Sequence, residues 1–376
     1  MNKKILLIAS LAESLIHFRG DFMAALVKQG YTVFAAAPDI SREVLDDLKE
    51  LQVNPLAIDL DRTGLNPLND LRLVLQLKKI VRKYEIDLVF PYTIKPVVYG
   101  SMAARMVGVP VISLITGLGF TFSGASRKAK FLQQITKRLY RFALRSNKLV
   151  IFQNEDDLQL FKKSNILAKD QRTSIVNGSG VNLNRYPFRI KKANTATIKF
   201  VIVARLIREK GIQLFMDSAT ALKEHFTNAE FHVIGGQADP PSGINVDVLR
   251  QLDDANIIVF HGIKDNVPEF LQEMDVFVLP TFYREGVPRS ILEALSVGMP
   301  VITTDMPGCK ETVIPKKNGF LIPPNSLDHL LDACRYFLEN PSAVEEMGKQ
   351  SRLLAERKFD VNIINNSLIQ HIKTVI

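Results

Sequence analysis

Cysteine is scarce in this 376-residue chain, with only Cys309 and Cys334, and tryptophan is absent. Two cysteines exclude a disulfide framework and any four-cysteine zinc site, and they suit a reducing, cytoplasmic compartment. No run of 18 apolar residues occurs, which argues against a membrane-spanning helix. The opening MNKKILLIAS has two lysines and a short apolar run, as a secretion signal does. Glu13 and His17 follow before any long apolar region or cleavage site, so a buried first strand explains it better. Acid is also missing locally: between Asp87 and Glu155 there is no Asp or Glu, while ten Lys and Arg occur.

What is present describes a globular chain. Hydrophobic residues make up 47% and charged residues 23%, with 20 Gly and 18 Pro, and the length suits two domains rather than one. Residues 1–190 carry 28 Lys and Arg against 16 Asp and Glu, and residues 191–376 carry 20 against 23, so the net charge of +9 divides into +12 and −3. The first half is expected to face a polyanion. Zinc-finger spacing, RNA-binding aromatic motifs and basic-zipper heptads are lacking, so nucleic acid is not the expected partner. The densest basic stretch, residues 126–148, forms an amphipathic helix when turned at about 100° per residue. Phe131, Leu132, Ile135, Leu139, Phe142 and Ala143 gather on one side, and Lys130, Lys137, Arg138, Arg141, Arg145 and Lys148 mainly on another. Two readings stay open: a helix lying on an anionic membrane, or a surface helix packing its stripe on its own domain.

Apolar runs alternate with helical patterns. Strands are expected at residues 4–9, 31–36, 54–59, 87–91 and 111–114, with helices at 18–29, 42–51, 68–84 and 97–107. After a polar, basic candidate linker at 185–197 the alternation restarts. Strands are expected at 199–204, 230–235, 257–261, 276–280 and 300–304, with helices at 212–226, 267–273, 290–297 and 327–339. Short continuous apolar strands between helices predict parallel sheets covered on both faces. The expectation is two doubly wound, Rossmann-like domains, residues 1–190 and 191–358, facing a central cleft, with a terminal helix at 359–376 packing back on the first domain. A ligand should bind at the carboxyl ends of the strands.

Two stretches carry chemistry. In residues 278–295, VLPTFYREGVPRSILEAL, a buried strand ends at Pro280 and a helix begins near Pro288. The amides of Gly286, Val287, Arg289 and Ser290 would point out of that terminus, where the helix dipole favours an anion. Glu293 could accept from two vicinal hydroxyls, as a ribose offers, and Glu285 precedes the helix. Taken alone, the spacing is better explained by Glu285 complementing the helix start and Glu293 being solvated. In residues 201–211, VIVARLIREKG, Arg205 follows a strand and Lys210 precedes a glycine and a helix. The two cations could clamp a diphosphate, or form an exposed basic loop.

These stretches, with VIGG at 233–236, HG at 261–262, GMPVITTDMPGCKETV at 298–313 and NGFLIPP at 318–324, resemble the retaining family-4 glycosyltransferases of the GT-B fold. The resemblance spans essentially the whole chain. IHFRG at 16–20, YTIKP at 92–96 and ITGLGF at 115–120 look like the subgroup that adds N-acetylgalactosamine to N,N'-diacetylbacillosaminyl-diphospho-undecaprenol. The resemblance implies a retaining hexosyltransferase that uses a UDP-sugar and a polyprenyl-diphosphate-linked acceptor, acting peripherally on the inner face of the cytoplasmic membrane in capsule, O-antigen or protein-glycan synthesis. It assigns Arg205 and Lys210 to the donor diphosphate, Glu285 with Gly286 and Val287 to the donor sugar, and Glu293 to the ribose; Arg205, Lys210 and Glu285 would be the catalytic set. No metal or other cofactor is implied. Ser10 to His17 lacks the glycine pair of many relatives, so amides around Ser14 would approach the donor instead. Thr116 and Gly117 stand where many relatives have a histidine. On the acceptor side, His17 and Lys95 are candidates, each with a structural or solvated alternative. A GT-B nucleotide-sugar epimerase and a non-catalytic sugar-nucleotide-binding partner are the competing functions.

Overall fold

A computed structural model describes residues 2–61, 66–119, 122, 127–189, 197–237 and 243–376, with the side chains of residues 127–130 excepted. The chain divides into two compact units, Met1–Ser179 with Val361–Ile376, and Gly180–Asp360. The first crossing falls about ten residues earlier than expected. The segment after Gly180 is tied to the end of the second unit, where Val181 N donates to Phe359 O and Val181 pairs with Asp360.

The first unit runs β1 (Lys4–Ile8), α1 (Glu13–Lys28), β2 (Thr32–Ala37), α2 (Arg42–Glu50), β3 (Asn54–Ala57), α3 (Pro67–Lys83), β4 (Leu88–Pro91), α4 (Ile94–Arg105), β5 (Ile112–Ile115), α5 (Arg127–Leu144), β6 (Leu149–Phe152), α6 (Glu155–Lys163) and β7 (Thr173–Ile175). Its strands are parallel, in the orders β3-β2-β1-β4 and β5-β6-β7, and the bridges Val89–Val111 and Tyr92–Leu114 join the two groups. Ile5 to Ile8 are fully buried, as a strand covered on both faces requires. One face gathers α3, α4, α5 and α6 around Leu77, Val97, Tyr140 and Phe161. The other gathers α1 and α2 around Leu15, Phe22 and Leu48. α1 begins five residues before the expected helix, because Ala12 enters it in helical geometry without a side-chain cap.

The second unit runs β8 (Ile198–Val203), α7 (Ile212–Lys223), β9 (Ala229–Ile234), α8 (Val246–Asp254), β10 (Val259–Phe260), α9 (Val267–Gln272), β11 (Val276–Leu279), α10 (Arg289–Val297), β12 (Val301–Thr304), β13 (Gly319–Ile322), α11 (Leu327–Glu339) and α12 (Ser342–Leu354). Its parallel sheet has the order β10-β9-β8-β11-β12-β13. The chain then returns to the first unit as α13 (Val361–Lys373), which packs Ile364, Leu368, Ile369 and Ile372 into the core shared with α1, while Ser174 Oγ lies 2.9 Å from His371 Nε2. Parallel sheets flanked by helices in both units match the two doubly wound domains expected from the sequence.

The expected linker divides differently. Residues 190–196 lie outside the described residues, but Tyr186 is 4% exposed in the second unit's core. The Phe188 ring lies so close against Gly298 that a Cβ there would have no room, and the φ of +87° at Gly298 favours glycine as well.

Candidate functional site

Strand order in the second unit reverses between β8 and β11, and the loops leaving these two strands therefore begin side by side. After β8, Leu206 is buried and its amide donates to Gly236 O, which anchors the loop just past Arg205. A single 3-10 turn, Arg208–Lys210, ends at Gly211 with φ +76°. A Cβ at Gly211 would lie 2.2 Å from Pro280 O, so only glycine lets this loop meet the end of β11. Thr281, fully buried, completes the join: its hydroxyl donates to Glu209 O at 2.8 Å and accepts from Tyr283 N at 3.1 Å, and Phe282 N donates to the same Glu209 carbonyl.

That join brings Lys210 to Glu285. Lys210 Nζ lies 2.6 Å from both carboxylate oxygens, and the two side chains are only 12% and 14% exposed. A pair so sheltered interacts far more strongly than surface ion pairs do. Thr281 Oγ1 stands 3.4 Å from Glu285 Oε1, and Thr304 donates to the Thr281 carbonyl from β12. Beside them a Cβ at Gly308 would strike Gly286 O, so the loop after β12 and the Gly286 turn are in close backbone contact. Cys309 is fully buried there; burial, and then the charge of Glu285, push its thiol pKa up.

α10 starts from Pro288 with no side-chain cap. Among the described residues the amides of Gly286 and Ser290 have no acceptor, so that helix end keeps donors for an anion. Val287 is buried at 7% exposure. One turn into α10, Glu293 is not solvated: Arg289 Nε bonds its Oε1 at 3.0 Å, and its side chain is only 12% exposed near Tyr186. Burial first, and then Glu293, push the Tyr186 pKa up. Tyr186 is a residue that sequence reasoning missed, hidden inside the expected linker. Arg205 is exposed, and its guanidinium makes no hydrogen bond or ion pair among the described residues. Lys210, Glu285 and the Gly286 turn are thus brought together, Arg289 and Glu293 on α10 form a second group near Tyr186, and Arg205 stands open just past β8.

The first unit has its own reversal, between β1 and β4. Ser14 is buried there, its amide and hydroxyl both donating to Leu11 O and its oxygen 2.9 Å from Tyr92 Oη, so its amide is not available to a donor. Thr93, a β-branched residue at φ +68°, donates to Ser10 Oγ; strain of this kind concentrates at functional loops. A cavity of about 330 Å³ adjoins Ser10, Glu13, Asp39 and Asp61. His17 is exposed on α1, whereas Arg19, on the same helix, is 1% exposed with its guanidinium 5.5 Å over the Tyr92 ring. Lys95 is not a solvated lysine: it bonds Asp70 at 3.2 Å, each 12% exposed, with Tyr99 near the same carboxylate. Thr116 and Gly117 follow β5, with Gly117 at φ +108°.

On α5 the buried side is Thr136, Tyr140, Ala143 and Leu144, not the whole expected apolar stripe. Phe131 and Phe142 remain 67% and 51% exposed beside exposed Arg138 and Arg145, with Lys137 half-buried. Arg141 closes the end of α6, donating to Ser164 O and Asn165 O. The Lys130 side chain lies outside the described residues. No helix among the described residues is long and apolar enough to cross a membrane, and no group of three or more His, Cys, Asp or Glu among them could hold a metal.

Along its length the chain is similar to known proteins. Residues 187–354 match the family model described as glycosyl transferases group 1, and residues 4–154 match glycosyl transferase 4-like. The chain is 26% identical over 363 residues to the N,N'-diacetylbacillosaminyl-diphospho-undecaprenol alpha-1,3-N-acetylgalactosaminyltransferase of Campylobacter jejuni, covering 93% of each. It is 28% identical over 281 residues to the UDP-Gal:alpha-D-GlcNAc-diphosphoundecaprenol alpha-1,3-galactosyltransferase of Escherichia coli, covering 72% of this chain and 71% of that one. Among solved structures it is similar to sucrose-phosphate synthase from Thermosynechococcus elongatus, with a TM-score of 0.83 at 18% identity over 100% of this chain and 99% of the other.

Proposed function

Because the chain belongs to the family-4 glycosyltransferases of the GT-B fold, we propose that it transfers a hexose or N-acetylhexosamine from a UDP-sugar to an undecaprenyl-diphosphate-linked acceptor, with retention at the anomeric carbon. The sugar closest to N-acetylgalactosamine fits the Campylobacter relative best, and the product belongs to bacterial surface or glycoprotein glycans. The observation that carries this reading is the Lys210–Glu285 pair set beside the uncapped start of α10.

In this reading Lys210 acts as a point charge and Arg205 as a two-pronged donor to the donor diphosphate, while the Gly286 and Ser290 amides bind the same anion from the helix end. Glu285 accepts from the donor sugar, and Glu293, held by Arg289, accepts from ribose hydroxyls. The bond from the anomeric carbon to the β-phosphate oxygen breaks, and its electrons leave with UDP. The acceptor hydroxyl attacks from the same face, and its proton passes to the departing phosphate. Fixed cations and amides stabilise that leaving charge without a metal. The first unit takes the acceptor, and α5 rests on the anionic cytoplasmic face of the membrane through Phe131, Phe142, Arg138 and Arg145; their exposure supports this.

The test is UDP release across a panel of UDP-sugars with a polyprenyl-diphosphate-linked acceptor, followed by NMR of the new anomeric linkage. Acceptor-dependent release with an α-linked product from an α-linked donor is expected. A β-linked product would overturn retention, and release with no UDP-sugar in the panel would overturn the transfer.

A further inference from the structure

α5 is not the only helix of the first unit whose outer side is partly apolar. Along α3 after its first residue, the exposed Pro67, the exposed positions are Leu68, Leu71, Arg72, Leu75, Lys79 and Arg82, a single stripe at helical spacing, with Lys83 beside its end. Leu68, Leu71 and Leu75 are 70%, 56% and 43% exposed, although Leu73, Val74, Leu77 and Val81 already bury the helix's inner side. A helix that only covers its own sheet needs one apolar stripe, and α3 has a second. Its outward charge is of one sign. The sole acid of α3, Asp70, is sheltered against Lys95 and Tyr99, so the exposed stripe offers cations and no anion. α3, α4 and α5 pack on the same face of the sheet, and Met106, just past α4, is also 49% exposed. Arg105 lies 5.5 Å over the Phe142 ring, which links the end of α4 to the exposed phenylalanine of α5.

We infer that the outer stripe of α3 is a second lipid-contacting surface, laid with α5 on an anionic bilayer. Leu68, Leu71 and Leu75 enter the boundary between headgroups and acyl chains, and Arg72, Lys79, Arg82 and Lys83 meet the headgroup phosphates. Two helices give a planar contact that fixes how the first unit lies on the membrane, where one helix would leave it free to roll. The inference rests on the membrane reading proposed above and adds to it a site of its own.

The test is co-sedimentation of the full chain with phosphatidylcholine vesicles containing about 30% phosphatidylglycerol. Leu71→Ser with Leu75→Ser should lower partitioning by at least about tenfold, and Lys79→Gln with Arg82→Gln should lower it on anionic but not on neutral vesicles. All four positions are exposed, so melting temperature and UDP binding should match wild type. Loss of partitioning in Phe131→Ser with Phe142→Ser, alongside wild-type partitioning of both α3 variants, would overturn the α3 surface and leave the α5 reading standing. A wild-type chain that fails to sediment with anionic vesicles would overturn both, whatever its UDP-release activity. If the leucine variant instead turned a dimer into a monomer while partitioning normally, the stripe would be covered by a second copy and the inference would be wrong.

Discussion

Lys210 and Glu285 stand 75 positions apart in sequence, and the joint that unites them is small: one glycine without a Cβ, one buried threonine hydroxyl and one carbonyl taking two donors. Arg205, by contrast, is exposed and unengaged among the described residues. The two cations should therefore separate experimentally. Arg205→Ala should leave thermal unfolding unchanged while turnover falls roughly 10²–10³-fold, as loss of a preorganised charge does elsewhere. Lys210→Ala should lower turnover similarly and also destabilise the second unit by roughly 1–3 kcal/mol, because Glu285 is left sheltered without its cation. Equal stability of the two variants would show that the pair is not sheltered in solution. Thr281 makes a sharper case, since it touches no proposed substrate. Thr281→Val keeps the shape but loses the bond to Glu209, and should lower kcat about tenfold while KM for the UDP-sugar changes little. Thr281→Ser should restore kcat, and failure of serine to do so would assign the loss to packing rather than to the hydroxyl.

At the scale of elements, the edge of the second sheet contains a titrating pair. His232 Nδ1 on β9 and His261 Nε2 after β10 lie 3.0 Å apart with rings stacked at 9°, and Phe270 packs edge-on against both. Burial, then His232 and Lys264, lower the His261 pKa to about 4, and burial also lowers that of His232 despite Glu230. Both folded-state values lie below the ordinary histidine value of 6.5, so below that pH the unfolded chain takes up protons that the folded chain refuses. Stability should thus be full above pH about 6.5 and fall as pH drops toward about 4, by the order of 1 kcal/mol between pH 7 and pH 5 after solvent screening of the partly exposed ring. Urea midpoints at the two pH values should converge in His261→Gln, and an unchanged wild-type midpoint would refute the account. The effect bears on the site, because Gly235 N donates to Gly262 O and Leu206 N to Gly236 O, which connects this edge to the loop of Arg205.

The same elements explain what could be read in advance. β11 is an unbroken apolar run and β8 is apolar except for Lys199, each between helical patterns, so their place in a parallel sheet was legible, and with it the loops holding Lys210 and Glu285. Tyr186 was not, because one buried aromatic in a polar, proline-bearing segment has no period to betray it, and its partner Glu293 lies on another element. Which part of the α5 stripe is buried was not legible for a related reason: Tyr140 and Thr136, polar by type, are buried with Ala143 and Leu144, which turns Phe131 and Phe142 outward. Lys95 looked solvated because its counter-ion Asp70 comes from a different helix.

For the molecule as a whole, the chain crosses between its units twice, near Ser179 and near Asp360, so its last segment stabilises the unit that holds its beginning. α13 contributes Ile364, Leu368, Ile369 and Ile372 to a core that also holds Leu15, Phe22 and Met23, and no residue of that core belongs to the cluster built around Phe200, Phe231 and Phe277. The proposed donor chemistry lies wholly in the second cluster's unit, so damage to α13 should spare it. Leu368 is fully buried, and Leu368→Ala should cost about 2–5 kcal/mol through lost contacts and the cavity left behind. Calorimetry should show this as an earlier transition for part of the heat absorbed, while the UDP dissociation constant measured at low temperature stays at its wild-type value. A single transition moving as one, with UDP affinity falling in step, would mean instead that the two units fold as one cooperative body and that the terminal helix supports the donor site as well.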